Sequence, residues 1–321
     1  MGRLIMMMMP ITPKFIVGWV AKRYVAGPDL ESAMRVMRSM KSQGACFTLD
    51  VLGEEITNLE EADFFVNEYH RALNAIVSEG MDANISVKPT AFGLLIDENK
   101  ALENIEKITS IAANNDIFVR LDMEDHRVTQ STIDIVTDMH DRGLTNIGTV
   151  LQSRLFRTCD DISLLASRLD GNSDVRICKG IYLEPEGIAH TTYHDIVVAT
   201  NKAVDELLDS GAYTAIASHD LPVINHALAA LDERKMGPKT ADPRGNARPE
   251  RIGKGPGYEF QMLLGVRGNI RRKLAKDGHR TRVYLPYGNM WYEYSMRRLR
   301  ENPDVAWHVA KSIIMPWTNR R

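Results

Sequence analysis

The sequence predicts an α/β protein, a (β/α)8 TIM-type barrel with extra N-terminal helices. Short strand-like runs recur eight times along the 321 residues. Amphipathic segments of helical period separate those runs, the pattern of a parallel sheet with helices outside it. The nucleotide loops of an open, doubly wound sheet are missing: the first run continues "GEEITNLEEA" rather than GxGxxG, and no GxxxxGK[ST] occurs.

Taken in order, the chain begins "MGRLIMMMMPITPKFIVGWVAKRY", with apolar runs interrupted by Pro10, Pro13 and Lys14. Each run falls well short of the roughly 20 apolar residues needed to span a bilayer, and no small-x-small cleavage site stands out. A helix packed on the body of the domain is expected, with an interfacial membrane contact left open. Residues 1–40 are read as a helical extension of one domain covering 1–321.

The strand-like runs are Ala45–Leu52, Asn84–Lys88, Ile117–Asp122, Ile147–Gln152, Asp174–Lys179, Thr214–His219, Tyr258–Leu263 and Thr281–Pro286. Among the intervening helices, "EEADFFVNEYHRALNAIVSEG" and "HTTYHDIVVATNKAVDELLDSG" have apolar residues at helical spacing and close on Gly80 and Gly211. A last helix is expected in "NMWYEYSMRRLRENP". No low-complexity linker divides the chain.

Composition narrows the function. With 44% hydrophobic residues the chain can bury a large core, and 40 Lys+Arg against 42 Asp+Glu give no global basic field for nucleic acid. Cys46, Cys159 and Cys178 are too few and scattered for a disulfide framework or a CxxC metal site, and read as thiols in a reducing cytoplasm.

In a barrel, chemistry sits at the C-terminal ends of the strands, and here those ends are polar. They carry Asp50 with Glu54 and Glu55, then Lys88, Asp122, Gln152, Arg176 with Lys179, Ser218 with His219, and Gln261. Lys88 closes an apolar strand, where a charge is costly unless paired; an anion clamp and a Schiff base are both open to it. Asp122 can hold a cation in position or simply cap a helix. His219 has no second histidine at metal-binding spacing, so no metal is expected.

In the last helix, at about 100° per residue, Tyr294, Arg297, Arg298 and Glu301 share an arc of roughly 100°, while Arg300 points away. Two guanidinium groups on one face suit a carboxylate or phosphate; a solvated i,i+3/i+4 ion pair is the plainer alternative.

These segments, "ISVKPTAFGL", "VRLDMED", "TVLQSRLFRT", "VRICKGIY", "IASHD", "YEFQMLLGVR" and "RVYLPYGNMWYEYSMRRLREN", resemble those of the FAD-dependent proline dehydrogenases of the monofunctional bacterial type. The resemblance spans most of the chain. It implies a distorted (β/α)8 barrel with non-covalent FAD at its C-terminal face. It also implies oxidation of L-proline to Δ1-pyrroline-5-carboxylate, with hydride passing from ring C5 to flavin N5 and electrons going on to a membrane quinone. On that basis Lys88, Arg297 and Arg298 would bind the proline carboxylate, and Tyr284, Tyr294 and Leu263 would line the ring. Asp122 and Arg176 would be the catalytic polar pair, Arg176 lying near the flavin. Met123, Gln152, Lys179, Gly180, Ile181, Ser218, His219 and Glu301 would contact FAD, Glu301 also steadying the arginines. Ser218 replaces the family's usual threonine, Pro89 a commoner leucine, and Ile181 a small alanine. The protein would be cytoplasmic, with a peripheral seat at the inner membrane face left open. A dehydrogenase of hydroxyproline or an N-methylated proline, or a cofactor-free lyase using Lys88 or Lys179 as a Schiff base, are the alternatives.

Overall fold

A computed structural model describes residues 23–238, 240, 242–244, 257–292 and 294–295. Its strands are β1 (Cys46–Val51), β2 (Ala83–Val87), β3 (Val119–Leu121), β4 (Ile147–Gln152), β5 (Asp174–Cys178), β6 (Tyr213–Ala217), β7 (Tyr258–Leu263) and β8 (Thr281–Tyr287). The helices are α1 (Leu30–Lys41), α2 (Glu60–Ser78), α3 (Glu98–Ala113), α4 (Thr129–Asp141), α5 (Thr158–Arg168), α6 (Tyr193–Asp209), α7 (Leu221–Glu233) and α8 (Gly268–Lys276). Short 3-10 turns at Pro89–Phe92 and His126–Val128 follow β2 and β3.

All eight strands are parallel and pair in sequence order, and β1 closes the barrel on β8 through Cys46↔Arg282 to Val51↔Tyr287. Every strand-like run of the sequence became a strand, within two residues at its ends.

Side-chain caps start α1, α3 and α6. Asp29 accepts from the Ser32 N–H to start α1, and Thr192 accepts from the Asp195 N–H to start α6. Each helix turns its apolar stripe to the barrel: Leu30, Ala33, Met34, Met37 and Met40 of α1 are buried, as are Phe65, Tyr69, Ala72, Leu73 and Ile76 of α2. On the strands, alternate residues such as Phe47, Leu49 and Val51, or Ile85 and Val87, join the same apolar layer.

The other parity faces the lumen, and the lumen is polar from its floor upward rather than filled with branched aliphatic side chains. At the floor Arg120 pairs with Asp174 and donates to the carbonyls of Thr149 (2.9 Å) and Asp174 (2.7 Å). Arg282 pairs with Glu259 at 2.8 Å and donates to the Phe47 carbonyl at 2.7 Å. Tyr213 adds a hydroxyl to Glu259 at 3.2 Å. All of these side chains are buried, each charge has an opposite charge, and Arg120, Arg282 and Glu259 have a backbone or hydroxyl partner besides, the condition under which buried ions are tolerated. Among the described residues no helix is long and apolar enough to cross a membrane. The expectations made for residues 1–22 lie outside the described residues.

Candidate active site

Above the floor, at the C-terminal ends of the strands, the lumen holds a second cluster built around Asp122. One carboxylate oxygen accepts from Arg176 Nη1 (2.7 Å) and Ser86 Oγ (2.5 Å), and the other from the Tyr284 hydroxyl (2.6 Å). Arg176 Nε donates to Gln261 Oε1 at 2.6 Å, and its Cζ lies 5.2 Å from the centroid of the Tyr284 ring. The Ser86 bond joins neighbouring β2 and β3, but the others join β3 with β8, β3 with β5 and β5 with β7, strands that are not neighbours, so those bonds cross the lumen.

Burial by itself would raise the Asp122 carboxyl. Arg176, then Lys88 and the hydroxyls of Ser86 and Tyr284, hold it below the usual carboxylate range instead. The Tyr284 phenol is pushed well above its ordinary value by burial and then by Asp122 and Asp50, so it stays a donor. Asp122 does not cap a helix: Asp125 accepts from the Arg127 N–H and starts the turn that follows.

Lys88 is 7% exposed and pairs with Asp50 across β1 and β2. Burial would lower its ammonium, but Asp50 and Asp122 keep it above its ordinary value. It is therefore a fixed cation. A Schiff base needs a neutral amine, so the anion clamp is favoured over that alternative; Lys179 is likewise ion-paired, to Asp220.

Around the mouth, Gln152 donates Nε2 to the Glu124 carbonyl at 2.7 Å, while its Oε1 is buried with no partner among the described residues. Arg176 Nη2 is in the same condition. Gly180, at φ +91°, sits against this pair of strand ends: a Cβ there would lie 2.7 Å from Gln152 Oε1 and 2.8 Å from Arg154 Cδ. Ile181 follows it, half-buried. Lys179 stands 4.4 Å from the centroid of the Tyr193 ring. His219 Nε2 accepts from the Leu263 N–H at 2.9 Å, which fixes its ring between β6 and β7 with the proton on Nδ1. The Ser218 hydroxyl accepts from the Asp220 N–H at 3.1 Å. Met123 is buried beside Asp122, and Tyr294 packs with Tyr24, Val25 and Leu52.

Thus Lys88, Asp122, Met123, Gln152, Arg176, Lys179, Gly180, Ile181, Ser218, His219, Leu263 and Tyr284 all come to the C-terminal face. Arg297, Arg298 and Glu301 lie outside the described residues. Missed in the sequence were Ser86, Thr90 and Glu124. Ser86 had a signal, the period of two carried one step back from Lys88 along β2; Thr90 and Glu124, in the turn and loop beyond the strands, had none of that kind.

Comparison with known proteins bears on this geometry. A family model described as "Proline dehydrogenase" matches residues 33–311. The chain is 33% identical over 294 residues to Proline dehydrogenase 1 of Bacillus subtilis subsp. natto, covering 92% of this chain and 90% of that one. It is 35% identical over 284 residues to Proline dehydrogenase 2 of Bacillus subtilis, covering 88% and 87%. With Proline dehydrogenase of Deinococcus radiodurans it shares 33% over 299 residues, covering 92% and 90%. A crystal structure of proline utilization A from Bdellovibrio bacteriovorus, inactivated by N-propargylglycine, has the same barrel at a TM-score of 0.77 and 21% identity. That match covers 88% of this chain and 33% of the other, so this chain spans about a third of that protein's length.

Proposed function

The chain belongs to the proline dehydrogenase family, and from that premise we propose that it oxidises L-proline to Δ1-pyrroline-5-carboxylate, the first step of proline catabolism. The observation that carries the proposal is the cross-lumen cluster of Lys88, Asp122, Arg176 and Tyr284, its cations held by Asp50 and Asp122 and closed below by further paired charges.

The residues present fit a non-covalent FAD. Arg176 Nη2 and Gln152 Oε1 are buried polar atoms with no partner among the described residues, one a donor and the other an acceptor, on the neighbouring strands β5 and β4. Gly180 leaves the space between Gln152 and Arg154 free of a side chain. Met123, Lys179, Ile181, Ser218 and His219 complete the proposed cofactor contacts, with Glu301 from the C-terminal segment. When bound, the flavin supplies the two-electron acceptor that the reaction requires.

The protein's own residues do the rest. Lys88, with Arg297 and Arg298, binds the carboxylate of proline and so fixes the ring, which is where most of the rate advantage of a positioned substrate arises. Tyr284, Tyr294 and Leu263 line the ring. Asp122 holds both the Arg176 guanidinium and the Tyr284 phenol in place, so that the walls on two sides of the ring share one anchor. Loss of a hydride from C5 and a proton from nitrogen leaves the C=N bond of the product. The surrounding cations favour the neutral amine, from which that hydride departs. Electrons are proposed to pass on to a quinone, and the short apolar runs within residues 1–22 suit a peripheral contact at a membrane's inner face.

The test is optical. The purified protein should absorb as a flavoprotein, and the flavin band should bleach when L-proline is added without oxygen. A colourless protein that releases no flavin on denaturation would overturn the proposal.

A further inference from the structure

We propose that Glu124 is a positioning residue for the substrate cation: through Thr90 it fixes the turn that carries Lys88. The inference rests on Lys88 being a ligand of the proline carboxylate.

The ends of β2 and β3 are stitched together twice. Below Lys88, Ser86 Oγ donates to Asp122 at 2.5 Å. Above it, Glu124 accepts from both donors of Thr90: one oxygen takes the backbone N–H at 3.0 Å and the other takes the hydroxyl at 2.6 Å. Ser86 keeps the lumen-facing parity of β2, with Lys88 and Asp122 at the strand ends, while Thr90 lies in the 3-10 turn after β2 and Glu124 in the loop after β3. Lys88 therefore sits between two carboxylate rungs, and its ammonium reaches sideways to Asp50.

The upper rung is also part of a longer course. The Glu55 N–H donates to the Thr90 hydroxyl at 2.8 Å, and Gln152 Nε2 donates to the Glu124 carbonyl at 2.7 Å. Hydrogen bonds thus link the loop after β1, the turn after β2, the end of β3 and the end of β4, with Thr90 and Glu124 as the two middle members. A shift of Thr90 would move Lys88, two residues before it, away from that line.

A carboxylate at this position is costly. Glu124 is 4% exposed and has no ion pair among the described residues. Its partners are an amide and a hydroxyl, and burial pushes its carboxyl up to about 7 despite them and despite Lys88. What the carboxylate provides is two acceptor oxygens for two donors. A glutamine has one acceptor and would turn an amide N–H₂ toward the other donor.

The experiment measures kcat and KM for L-proline in Glu124→Gln, Thr90→Val and Thr90→Ser, each alone and in a Lys88→Met background, with flavin content recorded for every variant. Glu124→Gln and Thr90→Val should raise KM at least tenfold while kcat stays within threefold and flavin content is unchanged. Thr90→Ser, which keeps the hydroxyl, should restore KM. In the Lys88→Met background neither substitution should raise KM further, because the cation they position is gone. An unchanged KM, or an equal rise with and without Lys88, overturns the inference. Should Glu124→Gln fail to fold, Thr90→Val is judged by the same criteria. If the wild-type flavin is not reduced by L-proline, the functional reading fails instead, a result distinct from either of these.

Discussion

Replacing Tyr284 by phenylalanine removes one oxygen atom and tests the centre of the site. That hydroxyl donates at 2.6 Å to Asp122 Oδ2, while Ser86 and Arg176 share Oδ1. A hydrogen bond to a buried ionised group is worth about 1.5–3 kcal/mol, against about 1 kcal/mol for a neutral pair. Unfolding entropy runs at about 2.1 cal/mol/K per residue, so for 321 residues a loss of that size lowers Tm by roughly 2–4 °C. Calorimetry on Tyr284→Phe, Asp122→Asn and the double variant separates the bond from the bulk of the side chains. If the acceptor is an ionised carboxylate, the hydroxyl matters less once Asp122 is an amide, and the coupling should be about 1–2 kcal/mol. Kinetics should follow the same cycle, since Asp122 anchors Arg176 as well as Tyr284. Effects on Tm that add within about 0.5 kcal/mol would refute the account of Asp122 as the shared anchor.

Other expectations follow from the same geometry. Lys88→Met removes a fixed cation and should raise KM for L-proline roughly 10- to 100-fold, the equivalent of 1.5–3 kcal/mol, with the flavin retained; steady-state kinetics and the absorbance ratio check this. Gly180→Ala places a Cβ 2.7 Å from Gln152 Oε1 at a φ of +91°, costing about 1–3 kcal/mol, and flavin content per folded protein should fall by more than half. Glu124 gives a pH dependence of stability. Its carboxyl is raised from 4.5 to about 7, so the folded state binds that proton more tightly than the unfolded state. The associated stability is present below the lower value and is lost as pH rises through the upper one. At about 1.36 kcal/mol per unit the loss is about 3 kcal/mol, and a Tm series from about pH 4.5 to 8 should slope downward more in the wild type than in Glu124→Gln. Parallel slopes would count against the burial of an ionisable Glu124.

The strands were legible because each alternates apolar and polar residues, as in "CFTLDV" and "VRLD", with the apolar parity packed under the helices. The polar strand ends were legible for the same reason. The floor was not: Arg120, Asp174, Glu259 and Arg282 stand at or near strand starts, where a charge in sequence is usually a solvated boundary. Only the pairing of β7 with β8 brings Arg282 within 2.8 Å of Glu259, 23 residues away. Glu124 was hidden by its neighbours, since "DMED" before a helix reads as capping material. Asp125 does cap, and Glu124 turns inward to Thr90. The shared arc of Tyr294, Arg297, Arg298 and Glu301 is a sequence inference that only Tyr294, buried at the mouth, carries into the described residues.

The charged floor has an evolutionary consequence. Removing one member of a buried pair strands its partner at a cost of about 3–5 kcal/mol, whereas exchanging both for apolar groups is often neutral. Single substitutions at Arg120, Asp174, Glu259 or Arg282 therefore cross a fitness valley that double substitutions avoid. In a diverse set of relatives these positions should drift two at a time, 120 with 174 and 259 with 282, leaving a covariation record beneath a catalytic face that changes by single steps.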